Sequence, residues 1–241
     1  MNRHEQPAKP ISFSPAMVEA INKGRKNQTR RIISPQSMVN DSGGLVWGNA
    51  PKAKTKEIIK GLPEYFGLKE YCQYGKPGDL LWVREEHLIT REEGGYWRCE
   101  FKDGTITWHH TRDLPAETVD RLRARKSLGK WQRARFLPRY FARTYLKVTD
   151  IRVERLQDIC EEDAKAEGFA CISKDDGRTW KYGIPDHDGF PGDGHGTGWP
   201  WAKWEVDPRT AFRTLWESIN GPRSWEAPQW VWVVKFERVN Q

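Results

Sequence analysis

Apolar residues recur near the start of the chain with the period of an amphipathic helix. Met17, Val18 and Ile21 fall within residues 15–22 at the spacing that places side chains on one helix face. Ser14 precedes this stretch, and serine is a favoured cap at the start of a helix. The pattern therefore predicts a short helix that buries one face.

Other runs predict strands separated by turn residues. Residues 144–156 follow the two-residue period of a long strand or of two bent ones. Asp103 and Gly104 lie between two strand-like runs and favour a tight hairpin turn. The predicted strands are residues 79–86, 96–101, 105–108, 144–156 and 229–239, and the further predicted helices are residues 115–126, 161–167 and 208–219.

The chain is predicted to form a single domain, residues 1–241, with insertions. Its 241 residues, of which 37% are hydrophobic, suffice to bury one substantial core. The first 13 residues are expected to form an extended arm. The insertions are a loop at residues 34–70, a basic segment at residues 110–135, and a loop rich in Gly and Trp at residues 172–206.

The loop at 172–206 is unusually long for a compact domain. Loops of this length are often functional lids or are disordered. Trp199, Trp201 and Trp204 lie in it, and exposing three indoles to water would be costly. We therefore expect partial ordering of this loop.

No part of the sequence is suited to a membrane. No segment approaches the roughly 20 apolar residues that span a bilayer. The first residues lack the apolar core of a signal peptide. We therefore expect a cytoplasmic protein with no membrane partner.

Cysteine and histidine usage gives no sign of a metal centre. The four cysteines form no Cys-x-x-Cys pair, and the six histidines show no metal-ligand spacing. We expect reduced thiols, no metal and no cofactor. A cation site in the loop around His187 and His195 stays open as a weaker alternative, since the neighbouring Asp and Gly residues are ordinary turn formers.

The formal charge of +7 is concentrated in one window. Residues 121–143 hold nine Lys or Arg residues and no acidic residue, so this window carries +9 and the rest of the chain −2. Aromatic residues are interleaved with these charges, as on surfaces that neutralise phosphates and stack bases. The candidate nucleic-acid contacts are Lys130, Trp131, Arg133, Arg135, Arg139, Tyr140 and Arg143. A solvated basic surface beside core aromatics explains the pattern equally well.

The octet that begins at Gly24 reads Gly-Arg-Lys-Asn-Gln-Thr-Arg-Arg and concentrates reactive and charged groups. Gly24 can end the preceding helix in the left-handed conformation. In a following strand, Thr29 and Arg31 would share one face and Arg30 would lie on the other. Lys26 lies in the connecting turn, from which it can lean over the face that carries Thr29.

A lysine, a threonine and a carboxylate in one pocket could hydrolyse an amide. A hydroxyl of ordinary pKa is a weak nucleophile, and a neighbouring lysine with a lowered pKa can take its proton. Arg30 and Arg31 would lower the pKa of Lys26. The same octet could instead clamp a phosphate without chemistry, and Thr29 could be an ordinary strand residue.

The octet fits the pattern Gly-x-Lys-x-x-(Glu/Thr)-x-Arg, and the chain resembles the ASCH family, small domains related to the PUA fold. Three further blocks occur in that family's order and resemble its strand after a Pro-Gly-Asp turn, its helix after the long strand, and its closing helix and last strand as seen in phage-encoded members. They are residues 78–85, 156–168 and 212–237. The resemblance implies an α+β fold, a PUA-like mixed β-barrel flanked by short helices, here with long loop insertions.

The resemblance also implies an activity and residue roles. Some ASCH members with threonine in the variable motif position are amidohydrolases that remove the acetyl group from N4-acetylcytidine. Matching the motifs implies Lys26 as base, Thr29 as nucleophile and Glu167 as acid and base. The implied substrate-binding candidates are Arg31, which would orient the substrate, Arg30, Arg84 and Glu85, a second candidate carboxylate.

Two function hypotheses follow. The first is an amidohydrolase acting on an acylated or otherwise modified cytidine, free or within RNA. The second is a non-catalytic module of a phage or prophage that binds RNA, DNA or a modified base. The chain is much longer than the compact hydrolases, which favours a polynucleotide ligand. We take a monomer as the default.

Overall fold

The computed structural model describes residues 7–34, 38–39, 45–46, 72–193 and 196–239. Its strands are β1 (Ala8–Ser12), β2 (Gln28–Ile32), β3 (Met38–Val39), β4 (Leu45–Val46), β5 (Leu80–Arg84), β6 (His87–Arg91), β7 (Tyr96–Phe101), β8 (Ile106–His110), β9 (Tyr145–Arg155), β10 (Ala170–Ser173), β11 (Trp180–Gly183) and β12 (Trp230–Arg238). Its α-helices are α1 (Pro15–Asn22), α2 (Ala116–Arg123), α3 (Glu161–Ala166) and α4 (Pro208–Asn220). Every predicted helix and strand is present, with ends shifted by a few residues. Most of the predicted loop at 34–70 lies outside the described residues.

The largest sheet has five strands in the order β1-β5-β9-β12-β2. β1 runs parallel to β5, and the other neighbouring strands are antiparallel. β12 lies inside this sheet, and all its residues from Val231 to Val234 are buried. A continuous apolar run of this kind suits a strand that is covered on both faces.

The expected barrel is not closed by backbone hydrogen bonds in the described part of the chain. β1 and β2 are the two edges of the sheet, and no ladder joins them. Five strands laid flat would hold these edges about 19 Å apart. The Arg31 guanidinium on β2 nevertheless donates to the Ser12 carbonyl on β1 at 2.6 Å. The fold is therefore α+β, with an open sheet curled enough to bring its edges together.

Three helices pack with this sheet in the main hydrophobic core. α1 buries Met17, Val18 and Ile21, which confirms the predicted face. α4 buries Phe212 and Trp216 in the same core, and α3 contributes its buried alanine. The core thus fixes the three helices against the sheet on which the octet lies.

A second, smaller core forms around the antiparallel sheet β6-β7-β8 and α2. Trp97 and Phe101 of β7 are buried there, with the polar residues between them turned outward. The predicted hairpin between β7 and β8 is confirmed. β5 borders both cores, because Trp82 packs in the smaller core and Leu81 and Val83 pack in the main core.

Two expectations about irregular segments were incomplete. Part of the extended arm is β1, an edge strand of the largest sheet. The loop at 172–206 includes the end of β10, all of β11 and the fully buried Trp204, so a hairpin begins just before it. A Cβ at Gly183 would lie 2.3 Å from the Trp204 ring, so the hairpin approaches this indole closely. Burial of the indole orders a segment that lacks sequence periodicity.

Candidate functional site

A cleft of about 540 Å³ opens beside α1, β2 and α4, and we refer to it as the cleft. Lys26, Thr29 and Glu167 all line it, as do Arg30 and Arg31. Its volume lies within the range of small-molecule sites, about 300–1,000 Å³. The structure therefore brings the three predicted catalytic residues into one space.

Backbone geometry places Lys26 beside Glu167. Gly24 has a φ of +73°, so the chain leaves α1 in the left-handed conformation that the sequence predicted. The following residues pair with the end of α3, through a bridge between Lys26 and Glu167 and a hydrogen bond of 3.2 Å from Asn27 N–H to the Ala166 carbonyl. This pairing joins segments that lie about 140 residues apart in sequence.

Gly168 allows this close approach. Its φ is +114°, and a Cβ built on it would lie 3.1 Å from the Cβ atoms of Ala20 and Lys26. A side chain would be strained by the backbone and would crowd both neighbours. Glycine at this position therefore lets α3 end directly against the segment that carries Lys26.

Lys26 and Glu167 form a buried ion pair. Lys26 Nζ donates to Glu167 Oε2 at 2.8 Å and to the Glu167 carbonyl oxygen at 2.7 Å, and both residues are almost fully buried. Burial lowers the pKa of Lys26, Arg31 and Arg30 lower it further, and Glu167 opposes the shift. The direction agrees with the sequence argument, but burial contributes more than the arginines.

Arg30 anchors the far side of Glu167. Its Nη1 donates to Glu167 Oε1 at 3.1 Å, and its Nη2 donates to Glu154 Oε2 at 2.9 Å and to Asp163 Oδ2 at 2.8 Å. Arg152 contacts the same two outer carboxylates. Burial alone would lower the pKa of Arg30, but the carboxylates outweigh it and raise this pKa. Arg30 therefore holds Glu167 in place.

Thr29 lies on β2 opposite Val234 of β12. It is 4% exposed and lines the cleft. Within the described part of the chain its hydroxyl makes no side-chain hydrogen bond, and Lys26 Nζ donates to Glu167 instead. Catalytic hydrogen bonds often form only in the substrate complex. The hydroxyl is thus available to a ligand in the cleft.

Arg31 points away from Arg30, as strand alternation requires. Its guanidinium carbon lies 5.0 Å from the centre of the Phe13 ring, and Nη2 bonds the Ser12 carbonyl. Burial lowers the pKa of Arg31. Arg84 does not line the cleft, but its Nη1 donates to the Arg135 carbonyl at 3.2 Å. Of the predicted substrate contacts, Arg30 and Arg31 therefore reach the cleft, and Arg84 supports its border.

Glu85 and Arg143 lie elsewhere and bind each other. Arg143 Nε lies 3.1 Å from both Glu85 carboxylate oxygens, and its Nη2 donates to Asp103 Oδ2 at 2.7 Å. Burial raises the pKa of Glu85, although Arg143 opposes this shift. The cavity beside them measures only about 10 Å³. Neither residue lines the cleft, so the structure does not support a contact of Glu85 or Arg143 with a ligand bound there.

The basic segment contributes two residues to the cleft. Arg133 and Arg135 are exposed and line it. Trp131 instead lies under the Lys102 ammonium, 3.8 Å from the ring centre. The other predicted nucleic-acid contacts do not line the cleft within the described chain, namely Lys130, Trp131, Arg139, Tyr140 and Arg143.

Sequence reasoning missed several walls of the cleft. Tyr74, Phe212, Trp216 and Glu86 line it, and Asp163 supports it through Arg30. The helical period of α4 identified its buried face but gave no sign that this face borders a cleft. Asp163 lies inside the predicted helix at residues 161–167, where only the tertiary contact with Arg30 distinguishes it from its acidic neighbours.

Among the described residues, no group of three or more His, Cys, Asp or Glu side chains could hold a metal ion. His187 is exposed beside Asp186, and His195 lies outside the described residues. No α-helix in the described ranges is both long enough and apolar enough to cross a membrane.

The function must be inferred from the cleft, since a fold class alone does not identify an activity. Its distinguishing features are a buried amine and carboxylate, an unengaged hydroxyl and a basic border. Comparison with protein-family models, with curated proteins and with solved structures gives no match to this chain.

Proposed function

We propose that the protein is an amidohydrolase that removes an acyl group from a modified cytidine such as N4-acetylcytidine, on an opened PUA-like fold of the ASCH type. The observation that carries this proposal is the buried ion pair of Lys26 and Glu167, 2.8 Å from Nζ to Oε2, in the same cleft as Thr29. A base, a carboxylate and a hydroxyl in one cleft are the components of acyl transfer.

Thr29 is the nucleophile of the proposed reaction. Its Oγ1 bonds to the acyl carbon while the neutral amine of Lys26 takes the hydroxyl proton. The lowered pKa of Lys26 supports this role, because it increases the fraction of neutral amine at neutral pH. Arg31 supplies positive charge in the cleft for the oxyanion that develops on the acyl oxygen.

The ion pair completes the cycle. When the bond between the acyl carbon and the cytosine amino nitrogen breaks, Lys26 returns the proton to that nitrogen, and Glu167 steadies the ammonium before the transfer. Water then attacks the threonyl ester and gives a proton to Lys26, which passes it to the departing Thr29 oxygen. The products are cytidine and a carboxylic acid, and the free hydroxyl is restored.

Non-catalytic binding of a nucleic acid is the second candidate. One observation favours it, namely that Lys26 Nζ already donates to two oxygens of Glu167. An amine held in this way can serve as a structural anchor without any proton transfer. In that case the cleft would bind a base or nucleotide and release it unchanged.

A hydrolysis assay separates the two candidates. Purified wild type, Thr29→Val and Thr29→Ser are incubated with N4-acetylcytidine, and cytidine is quantified by chromatography. Valine has nearly the shape of threonine and suits a strand, so Thr29→Val removes the hydroxyl with little change in packing. We expect a loss of at least about 1,000-fold in kcat for Thr29→Val, since the reaction loses its nucleophile, and partial activity for Thr29→Ser.

The outcomes are distinct. Full turnover by Thr29→Val would overturn the assignment of the nucleophile. Absence of turnover by folded wild type would overturn the amidohydrolase proposal and favour the binding module. Thermal melting of all three proteins controls for loss of the fold.

A further inference from the structure

We infer that Arg133 and Arg135 form a phosphate subsite on the border of the cleft, so that the ligand is a nucleotide unit and not a free nucleoside. The inference rests on the proposed function only for the cytosine base and for its orientation towards Thr29. The phosphate can belong to a free mononucleotide or to a polynucleotide strand. Both sources present the same oxygens to the two arginines.

The backbone that carries these arginines is held against the rest of the protein. Gln132 and His87 exchange two backbone hydrogen bonds, of 2.7 Å and 3.2 Å. Arg84 donates to the Arg135 carbonyl at 3.2 Å. A single 3-10 turn follows Arg133 and contains Arg135. The two side chains therefore leave an anchored backbone, although their guanidinium groups are exposed.

Arg133 and Arg135 differ from other arginines of the described chain in their ion pairing. No carboxylate in the described part of the chain forms an ion pair with Arg133 or Arg135. Less exposed arginines of the same protein behave differently, since Arg30 contacts three carboxylates and Arg143 contacts two. Unpaired guanidinium groups beside a cleft are available to an incoming anion, and guanidinium geometry matches two oxygens of a phosphate.

The charge of the whole cleft favours an anionic ligand. Among the described residues, five basic and two acidic side chains line it, so its formal charge is +3. Lys26 and Arg30 are already paired with Glu167, and Arg30 is paired with two further carboxylates outside the cleft lining, so the excess rests on Arg31, Arg133 and Arg135. The remaining acid, Glu86, does not balance the positive charge. An anionic group on the ligand would compensate this excess.

Aromatic rings in the cleft complement this charge. Phe13, Tyr74, Phe212 and Trp216 line it and offer apolar surface to a planar base. Phe136 lies next to Arg135 and is 46% exposed, with the guanidinium 4.7 Å from its ring centre. A base stacked in the cleft with its phosphate on the two arginines accounts for both features. Phe136 is then positioned for a neighbouring base if the ligand is a strand.

Binding measurements test the subsite without any need for turnover. The Thr29→Val protein is titrated calorimetrically with cytidine, cytidine monophosphate and an oligocytidylate of five nucleotides. We expect the monophosphate to bind about ten- to a hundredfold more tightly than cytidine, because two charge-assisted contacts are added. Tighter binding of the oligonucleotide than of the monophosphate would identify a strand as the source of the phosphate, and equal binding would identify a free nucleotide.

A matched pair of double variants localises the effect. Arg133→Gln/Arg135→Gln is expected to abolish the preference for the monophosphate and to leave the affinity for cytidine unchanged. Arg121→Gln/Arg123→Gln removes the same charge from α2, where both arginines pair with acids of their own helix. This control is expected to keep the preference.

Three results would overturn the inference. They are equal affinity for cytidine and its monophosphate, an equal loss in both double variants, and binding of hexaglutamate as tight as that of the monophosphate. If the protein binds the monophosphate selectively but hydrolyses no acylated cytidine, the proposed function is wrong and the phosphate subsite is supported. If the protein hydrolyses the acetylated nucleoside but binds the monophosphate no more tightly than cytidine, the proposed function is supported and the phosphate subsite is wrong.

Discussion

Two ion networks in the described part of the chain each bury a carboxylate, and they differ in the space that they border. The cleft network consists of Lys26, Arg30, Arg152, Glu154, Asp163 and Glu167. The Arg143 cluster consists of Arg143, Glu85 and Asp103. Lys26, Arg30 and Glu167 of the cleft network line a space of about 540 Å³, whereas the Arg143 cluster borders one of about 10 Å³.

Charge and burial alone would not distinguish the two networks. Burial lowers the pKa of Lys26 in one and raises the pKa of Glu85 in the other. Perturbed pKa values occur both in active sites and in structural ion pairs. What separates the networks is the presence of a hydroxyl on Thr29 and of room for a ligand beside the shifted group. A buried charged pair therefore indicates chemistry only where a substrate can reach it.

The largest expected effect is a loss of enzymatic activity that differs between variants of Glu167 and Glu85. Glu167→Gln should lower kcat/KM on N4-acetylcytidine by about 100- to 10,000-fold, because the ion pair loses the carboxylate that steadies proton transfer. Glu85→Gln should leave kcat/KM within about threefold of wild type. Both variants lose one buried charge, so melting temperatures identify any activity loss that comes from unfolding. Comparable kinetic losses in the two variants would remove the functional distinction between the networks.

The next effect concerns stability in the Arg143 cluster. Arg143→Met leaves Glu85 buried without its partner, and breaking a buried pair costs about 3–5 kcal/mol. Urea unfolding at pH 7 measures this loss. The double variant Arg143→Met/Glu85→Leu should recover most of it, since well-packed apolar residues can replace a buried ion pair. If Arg143→Met were as stable as wild type, the Arg143 cluster would not contribute to the stability of the fold.

The smallest expected effect is a pH dependence that arises beside the Arg143 cluster. The pKa of His87 is lowered to about 4, chiefly by burial and to a smaller extent by Arg125, while the hydrogen bond with the Glu85 carbonyl opposes the shift. Below pH 6.5 the unfolded chain takes up a proton that the folded protein does not bind. The free energy of unfolding should therefore fall by up to about 3 kcal/mol between pH 6.5 and pH 4.

The variant His87→Asn isolates this contribution. It cannot titrate in this range and retains a donor for the Glu85 carbonyl. Urea unfolding of both proteins at pH 7, 6 and 5 should give a shallower pH dependence for the variant. Parallel curves would mean that His87 does not contribute to the acid sensitivity, whereas a steeper curve for wild type supports its burial in the neutral form.

Local patterns in the sequence predicted the secondary structure well. The helical spacing of Met17, Val18 and Ile21 and the two-residue period over β9 are confirmed. Both depend on burial of one face of a single element, which neighbouring residues encode directly. The Trp204 loop was predicted less well, because its hairpin is ordered by packing of one indole and not by a periodic pattern.

The candidate site could not be predicted from local patterns alone, because its residues lie far apart in sequence. Resemblance of motifs selected Lys26, Thr29 and Glu167, and the structure brings them to one cleft. Nothing in the sequence indicated that Arg143 would bind Glu85, or that Arg133 and Arg135 alone of the basic segment's candidates would reach that cleft.

The sequence by itself determined the helices, most of the strands, the left-handed turn at Gly24 and the excess of positive charge. Only the tertiary structure decided which charges are paired, which border the cleft and which edge strands approach each other. The physical reason is the range of the interactions. Helix faces and turns depend on residues a few positions apart, whereas the Lys26–Glu167 pair joins residues 141 positions apart and depends on the tertiary arrangement that brings them together.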